Sequence, residues 1–272
     1  MEHRLAVLNQ KGGVGKTTTA VNLGAALALA GSRVLVIDLD PQSHLSLHLG
    51  LDPQDRERSS ARVLRDEKPL AQCVLPTSTD NLHILPASVD LAACENSLEE
   101  EVARESLLAR ALDRATAEGL AYDLVIFDCP PSLGVLTLNA LTAAREVLVP
   151  VQTEFFSLQG LSRLLELVNL VKRRLNPRLQ LTGVLPCMVD SRRSLTGEVI
   201  EELGRFLGGK LLPCRIRISV RLAEAPGFGR TIFQHAPRSH GAEDYAALAG
   251  RLGEILGISK NGEGQQEGLQ PG

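Results

Sequence analysis

Two lysines and three glycines lie close together near the start of the 272-residue chain, in the stretch RLAVLNQKGGVGKTTT that covers residues 4–19. The apolar run 5–8 precedes this loop and the alanine-rich stretch Ala20–Ala30 follows it, which predicts a strand, a loop and a helix. Glycines let successive backbone N–H groups turn inward on a polyphosphate, and the positive end of a helix opening at Lys16 adds to the attraction. The stretch therefore predicts a site for the phosphates of a nucleotide.

Individual residues of the loop have separate predicted roles. Lys16 would reach the β- and γ-phosphates, and the hydroxyl of Thr17 would bind Mg²⁺. The strict pattern G-x-x-x-x-G-K-[ST] is not met, because Gln10 stands where glycine is required, and Lys11 is an additional lysine. A glycine-rich turn with solvated lysines is the alternative, but it would not explain the flanking strand and helix. The predicted nucleotide-binding residues of the loop are Gly12, Gly13, Val14, Gly15, Lys16, Thr17 and Thr18.

Two further apolar runs end in a carboxylate. RVLVID (33–38) ends at Asp38, with Asp40 two residues later, and YDLVIFD (122–128) ends at Asp128. Acids at the carboxyl ends of parallel strands lie in the crevice where open α/β sheets bind ligands. Four apolar residues followed by an acid is the Walker B arrangement, in which Asp128 would hold Mg²⁺, directly or through water. For Asp40, which precedes Pro41, a turn or N-cap role is the alternative.

The motif QKGGVGKTTT (10–19) resembles the deviant Walker A ATPases of the ParA/MinD group, and within it the ParA/Soj branch, which segregates chromosomes and plasmids. DLDPQ (38–42) and DCPPSLGVLTLNALTAA (128–144) are similar to further motifs of that branch, and the resemblance extends over about residues 4–257. It implies a doubly wound α/β P-loop fold with a predominantly parallel sheet. ATP and Mg²⁺ are the implied ligands.

The resemblance also implies roles that spacing alone does not give. Asp40 would position the attacking water, and Lys11 would cross a dimer interface to the nucleotide of the other subunit. Lys11, Lys16 and Asp40 are thus the implied catalytic residues. The segment PVQTEFFSLQGL (150–161), which contains Gln152, would close over the purine and lead into a helix at the dimer face.

Composition sets broad limits. With 44% hydrophobic residues the chain can bury a sizeable core, and we expect one ATPase domain over residues 1–257. The five cysteines are widely spaced without a C-x-x-C pair, which argues against zinc, a redox dithiol, an iron–sulfur cluster and a nitrogenase-type reductase. A signal peptide, a membrane span, the basic membrane helix of MinD-type proteins and an N-terminal helix-turn-helix extension are not expected. We therefore expect a reduced, cytoplasmic protein.

Periodicity predicts the remaining elements. Residues 87–118 should form one or two helices, and residues 44–80 are polar and weakly periodic, with a solvated loop at 52–58 and no assigned chemistry. Residues 258–272 should form a disordered polar tail. The other predicted strands are 81–86, 146–151 and 179–188, and the other predicted helices are 158–175, 191–207 and 239–256.

A basic segment lies in the last third of the chain. Residues 192–238 contain nine Lys or Arg against four acids, a net charge of +5 that leaves about −8 for the rest of a chain whose total is −3. Ordinary surface arginines are one account, and an anion-binding face is the other. SVRLAEAPGFGRTI (219–232) resembles the ParA/Soj segment near which nonspecific DNA-binding arginines lie, although Ile218 stands where the family commonly has arginine. The resemblance therefore makes Arg215, Arg217 and Arg221 the candidate DNA-binding residues.

The resemblance implies a segregation ATPase. ATP would close a homodimer that binds double-stranded DNA without sequence preference, on the nucleoid, and a ParB-like centromere-binding protein would trigger hydrolysis and release. An ATPase that positions another cargo or a cell-division protein is one alternative. A nucleotide-gated DNA-binding module with incidental hydrolysis is another.

Overall fold

A computed structural model describes residues 2–98, 101–153, 157–190 and 194–258. Within these residues the chain forms seven strands: β1 (His3–Val7), β2 (Val34–Asp38), β3 (Leu75–Pro76), β4 (Leu82–Leu85), β5 (Leu124–Asp128), β6 (Glu146–Gln152) and β7 (Gln180–Cys187). The same residues form twelve α-helices: α1 (Lys16–Leu29), α2 (His44–His48), α3 (Ser60–Arg65), α4 (Leu70–Cys73), α5 (Leu91–Leu98), α6 (Leu107–Ala117), α7 (Val135–Ala143), α8 (Ser157–Arg174), α9 (Ser194–Leu207), α10 (Val220–Glu224), α11 (Ile232–His235) and α12 (His240–Leu256).

The strands form one sheet in the order β3-β4-β2-β5-β1-β6-β7. Every pairing is parallel except that of β3 with β4. The central strands carry buried apolar residues on both faces, as a parallel sheet covered by helices requires. The predicted doubly wound, predominantly parallel α/β fold is therefore confirmed.

Alternate residues of the strands point into two separate apolar layers. Ala6 and Phe127 pack on one face with α6, α7 and α8, whereas Leu5 and Ile126 pack on the other with α1 and α12. One side of α12 is buried in this second layer, and Tyr245 on that side shares a hydrogen bond of 3.2 Å with the hydroxyl of Thr19 on α1. The sequence-predicted terminal helix is thus an integral part of the core behind the phosphate loop.

Residues 44–80 contain more regular structure than their sequence predicts. The segment forms α2, α3, α4 and β3, none of which has more than six residues. Elements this short complete fewer than two helical turns, so they leave no readable periodicity. The charged stretch 52–58 is a largely exposed loop, as predicted.

Most other predicted elements agree with the structure to within three residues at each end. The predicted stretch 87–118 forms α5 and α6, with a short 3₁₀ turn before α6. The first residues of the predicted helix 191–207, the stretch 154–156 and all but the first residue of the predicted tail 258–272 lie outside the described residues. No helix among the described residues combines the length and the apolarity that crossing a bilayer requires.

Candidate nucleotide site

The glycine-rich loop joins the end of β1 to the start of α1 at the carboxyl edge of the sheet. Gly13 and Gly15 have φ values of 72° and 92°, a region that favours glycine. A Cβ at Gly12 or Gly13 would meet nothing within 4 Å, so the space over the loop is open. Backbone N–H groups that surround such a space form the phosphate cradle that the sequence predicts.

Lys16 begins α1 and is largely buried beneath this loop. Its Nζ donates a hydrogen bond of 3.3 Å to the carbonyl oxygen of Lys11, so its ammonium group lies across the loop. Val14 is buried, Thr17 and Thr18 are half-buried, and Lys11 itself is exposed. Lys16 is thus held within the loop, whereas Lys11 is on the surface, where a second molecule can reach it.

Two side chains hold the loop against the neighbouring strands. Asn9 donates from Nδ2 to the carbonyl oxygen of Pro150 on β6 (2.7 Å) and accepts from the backbone N–H of Lys11 (3.0 Å). Gln152, at the end of β6, donates to the carbonyl oxygen of Gly13 at 3.5 Å. Gln152 therefore lies beside the loop. Asn9 was missed because a single polar residue in a loop has no distinguishing spacing.

Asp38 and Asp128 end neighbouring strands and are paired in register. Asp128 is fully buried, and neither of its carboxylate oxygens has a hydrogen-bond partner among the described residues. Burial, and after it the charge of Asp38, raises the pKa of Asp128 well above its usual range. The nearby hydroxyl of Thr17 opposes this rise, although it does not form a hydrogen bond with the Asp128 carboxylate.

An unpartnered buried carboxylate at the mouth of a phosphate loop fits a divalent cation. Mg²⁺ prefers oxygen ligands and is commonly held by one or two protein oxygens together with phosphate oxygens. Asp128 and Thr17 are the side chains that could hold such a cation here.

The carboxylate of Asp38 accepts hydrogen bonds from groups of its own loop. Its Oδ2 accepts from the backbone N–H of Ser46 (2.9 Å) and from the Ser46 hydroxyl (2.7 Å), and its Oδ1 accepts from the N–H of Asp40 (3.1 Å). Burial raises the pKa of Asp38 to about 6, and the bonds from Ser46 oppose that rise. Asp38 therefore fixes the loop that carries Asp40.

Asp40 lies next along this loop and is largely buried. One of its oxygens, Oδ1, accepts from the backbone N–H of Gln42 at 2.9 Å. The backbone N–H of Leu39 donates to the carbonyl oxygen of Asp128 (3.1 Å), which keeps the loop beside the cation site. This placement suits a residue that orients a water molecule near bound phosphate.

The three candidate DNA-binding arginines differ in their surroundings. Arg215 is exposed and has no ion pair among the described residues. Arg217 is half-exposed, and its guanidinium contacts the carboxylates of Asp244 (2.7 Å) and Glu243 (3.2 Å). The sequence offered no sign of this engagement, because both acids lie on α12, far along the chain.

Arg221 pairs with Glu224 at 2.9 Å, and the arginine side chain is 62% exposed. Glu224 also contacts His235 at 3.4 Å. The basic segment is therefore partly neutralised by its own acids.

Comparisons with known proteins agree with the fold and the site. A family model described as an AAA domain matches residues 2–181. The chain is 46% identical over 245 residues to the sporulation initiation inhibitor protein Soj of Bacillus subtilis, covering 90% of this chain and 96% of that protein. It is 48% identical over 246 residues to the chromosome-partitioning ATPase Soj of Thermus thermophilus, covering 90% and 93%.

A similar solved structure is that of a Mycobacterium smegmatis protein, described as cobyrinic acid a,c-diamide synthase with a bound ATP analogue and magnesium. It superposes with a TM-score of 0.80 at 37% identity, over 96% of this chain and 98% of that one.

The fold and the site define a nucleotide-binding P-loop protein with an additional lysine in its phosphate loop. With relatives at this level of identity over nearly their whole length, the chain belongs to the ParA/Soj family of chromosome-partitioning ATPases.

Proposed function

We propose that this chain is a Mg²⁺-dependent ATPase that segregates DNA, chromosomal or plasmid. The observation that carries the proposal is the buried, unpartnered carboxylate of Asp128 beside Lys16 and Thr17, because ATP with its cation supplies the charges that this pocket lacks. The curated relatives at 41–48% identity that have assigned functions are named for chromosome partitioning or for Soj, which favours this cargo over others.

The residues of the candidate site have separate roles in the proposed hydrolysis of ATP. The loop N–H groups and Lys16 bind the phosphates, and Asp40 orients the attacking water, while Asp38 and Ser46 keep Asp40 in place. Thr17 and Asp128 would hold Mg²⁺, which would neutralise charge on the phosphates when bound. Gln152, beside the loop, is placed to approach the nucleotide.

In the second part of the proposal ATP joins two protomers. Lys11, exposed at the loop, reaches the nucleotide of the partner, where it offsets charge in the transition state as an arginine finger does. The ATP-bound homodimer binds double-stranded DNA without sequence preference. It is cytoplasmic and nucleoid-associated, and a ParB-like centromere-binding protein stimulates its slow hydrolysis.

The test is to measure molecular mass by light scattering and DNA binding by fluorescence anisotropy, without nucleotide, with ADP, with ATP and with ATP plus EDTA. We expect a dimer and DNA binding with ATP and magnesium only, and neither with the Lys16→Ala control. DNA binding that is the same in all four conditions would contradict the nucleotide switch. A dimer that forms with ATP yet binds no DNA would favour an ATPase that positions another cargo.

A further inference from the structure

Two acid-free stretches of the sequence meet at one edge of the sheet. Residues 167–189 contain four basic residues and no acid, and residues 203–223 contain five basic residues and no acid. Strand β7 lies at the edge, and residues 211–217 run alongside it, with bridges from Leu211 to Val184 and from Arg217 to Val189. Only the tertiary structure brings the two stretches together, so that Lys172 of the first and Lys210 of the second line one groove.

Six of these nine cations are exposed and make no ion pair with any residue that the structure describes. The other three are neutralised locally, Arg205 by Glu201, Arg217 by Asp244 and Arg221 by Glu224. We call the unpaired set the edge stripe; it comprises Lys172, Arg173, Arg174, Arg178, Lys210 and Arg215.

The residues of the edge stripe are distributed along the length of β7. Arg178 lies just before β7, and Lys172 and Lys210 line one groove with Gln180 at the start of β7. Arg215 lies near the end of β7, where the N–H of Ile216 donates to the carbonyl oxygen of Pro186. At about 3.3 Å per residue, the eight residues of β7 give the stripe a length of roughly 26 Å. Duplex DNA rises about 3.4 Å per base pair, so the stripe spans roughly eight base pairs.

We propose that the edge stripe is a contact surface for the phosphate backbone of double-stranded DNA. Unpaired lysines and arginines gain more from phosphate than paired ones, because no protein carboxylate has to be displaced. The two stretches themselves carry no acid, which favours a positive local potential although the whole chain is acidic. This inference rests on the proposed DNA binding and shifts its main surface from Arg217 and Arg221 to the β7 edge.

The principal test uses the triple variant Lys172→Gln/Arg173→Gln/Arg174→Gln in the last turn of α8. A control of equal charge, Arg56→Gln/Arg58→Gln/Arg65→Gln, removes three exposed arginines near β4, toward the other edge of the sheet, which pair with Asp90, Asp55 and Asp66 respectively. DNA anisotropy is measured with ATP over a salt series for both variants and the unsubstituted protein. Lys210→Gln repeats the test without altering α8.

We expect the α8 variant to bind DNA about tenfold or more weakly at 0.1 M salt, with a salt slope reduced by about 0.9 for each phosphate that the variant no longer neutralises. Lys210→Gln should reduce the slope by the equivalent of about one phosphate per protomer, and the control should change neither quantity. Basal ATPase activity and the ATP-dependent dimer should remain in every variant.

Unchanged DNA affinity in the α8 and Lys210 variants would overturn the inference while leaving the proposed function intact. Equal reductions in DNA affinity for the α8 variant and the control would also overturn the inference, because the loss of affinity would then come from the lower net charge of the protein and not from the stripe. Leu170 and Leu175 are partly exposed beside the stripe, and exposed apolar residues next to cations could also bind an anionic membrane. Binding of each variant to phosphatidylglycerol vesicles is therefore measured as well. Vesicle binding abolished in the α8 variant, with DNA binding intact, would assign the stripe to anionic lipid instead. No DNA binding by the unsubstituted protein with ATP would overturn both proposals.

Discussion

Ser46 binds Asp38 twice, through its backbone N–H at 2.9 Å and through its hydroxyl at 2.7 Å, and both bonds end on the same carboxylate oxygen. The Ser46 hydroxyl also accepts from the N–H of Ala87 at 2.9 Å, which ties the loop of Asp40 to the end of β4. This buried chain of hydrogen bonds makes the position of Asp40 depend on Ser46, which is itself fully buried.

The first prediction concerns that chain. Ser46→Ala removes one bond to a buried carboxylate and leaves the N–H of Ala87 unpaired, which costs about 1–3 kcal/mol of stability. We expect ATP hydrolysis to fall while the Kd for ATP stays unchanged, and Ser46→Thr, which retains the hydroxyl, to restore much of the rate. A Ser46→Ala variant with unaltered kcat would show that Asp40 is held by other contacts.

The second prediction separates the two lysines of the phosphate loop. Lys16→Ala removes a buried charge from the phosphate cradle, so ATP affinity should fall by on the order of a hundredfold or more. Lys11→Ala should keep monomer affinity for ATP and lose the ATP-dependent dimer, because its charge acts across the interface. Calorimetry and light scattering on both variants measure the two effects; a normal dimer from Lys11→Ala would contradict its role.

The third prediction is that Asp40→Ala binds ATP, forms the dimer and remains on DNA without turnover. Loss of a group that orients water should lower hydrolysis by about 10²–10⁴-fold, since the groups that bind the phosphates are unaffected. Phosphate release measured beside ATP binding tests this, with Asp52→Ala on the exposed loop as a control. Normal turnover would move the role to another residue.

The fourth prediction distinguishes a structural arginine from a DNA contact. Arg217→Ala breaks the ion pairs to Asp244 and Glu243, so we expect a loss of about 1 kcal/mol, roughly 2–4 °C in Tm, with little change in the salt slope of DNA binding. Arg215→Ala should do the reverse, because Arg215 makes no ion pair with the described residues. A reduced slope for Arg217→Ala at unchanged Tm would assign that arginine to DNA.

The fifth prediction concerns pH. His48 on α2 is buried with Nε2 unpartnered among the described residues, and burial lowers its pKa from 6.5 to about 4, with the backbone of Arg230 opposing that shift. Between these values the unfolded chain binds the proton at His48 and the folded chain does not, so the contribution of His48 to stability decreases as the pH falls from 6.5 to about 4. The loss attributable to His48 is at most about 3 kcal/mol.

Urea denaturation of the nucleotide-free protein at pH 7, 6 and 5 measures this dependence. The His48→Gln variant should lack that part of the decrease, whereas His44→Gln, an exposed histidine of the same helix, should retain it. Identical pH profiles for His48→Gln and the unsubstituted protein would contradict the prediction.

Local patterns in the sequence predict part of the fold and part of the candidate site. The glycines of the loop, Lys16 at the start of α1 and the acids that end β2 and β5 follow from spacing, because a strand, a tight loop and a helix impose it over a few residues. The parallel sheet follows in the same way from continuous apolar runs separated by helices.

The three-dimensional packing of the elements determines which charged side chains are already paired with other groups of the protein. Arg217 is paired with Asp244 from α12, Asp38 is occupied by Ser46, and the cations of α8 stand beside Lys210 because β7 and the segment after α9 share one sheet edge. Each of these relations joins residues that chain periodicity does not link, and the energy of a charge depends on the groups that surround it in space. For that reason the sequence could name the arginines of a basic segment but not say which of them a protein carboxylate already binds.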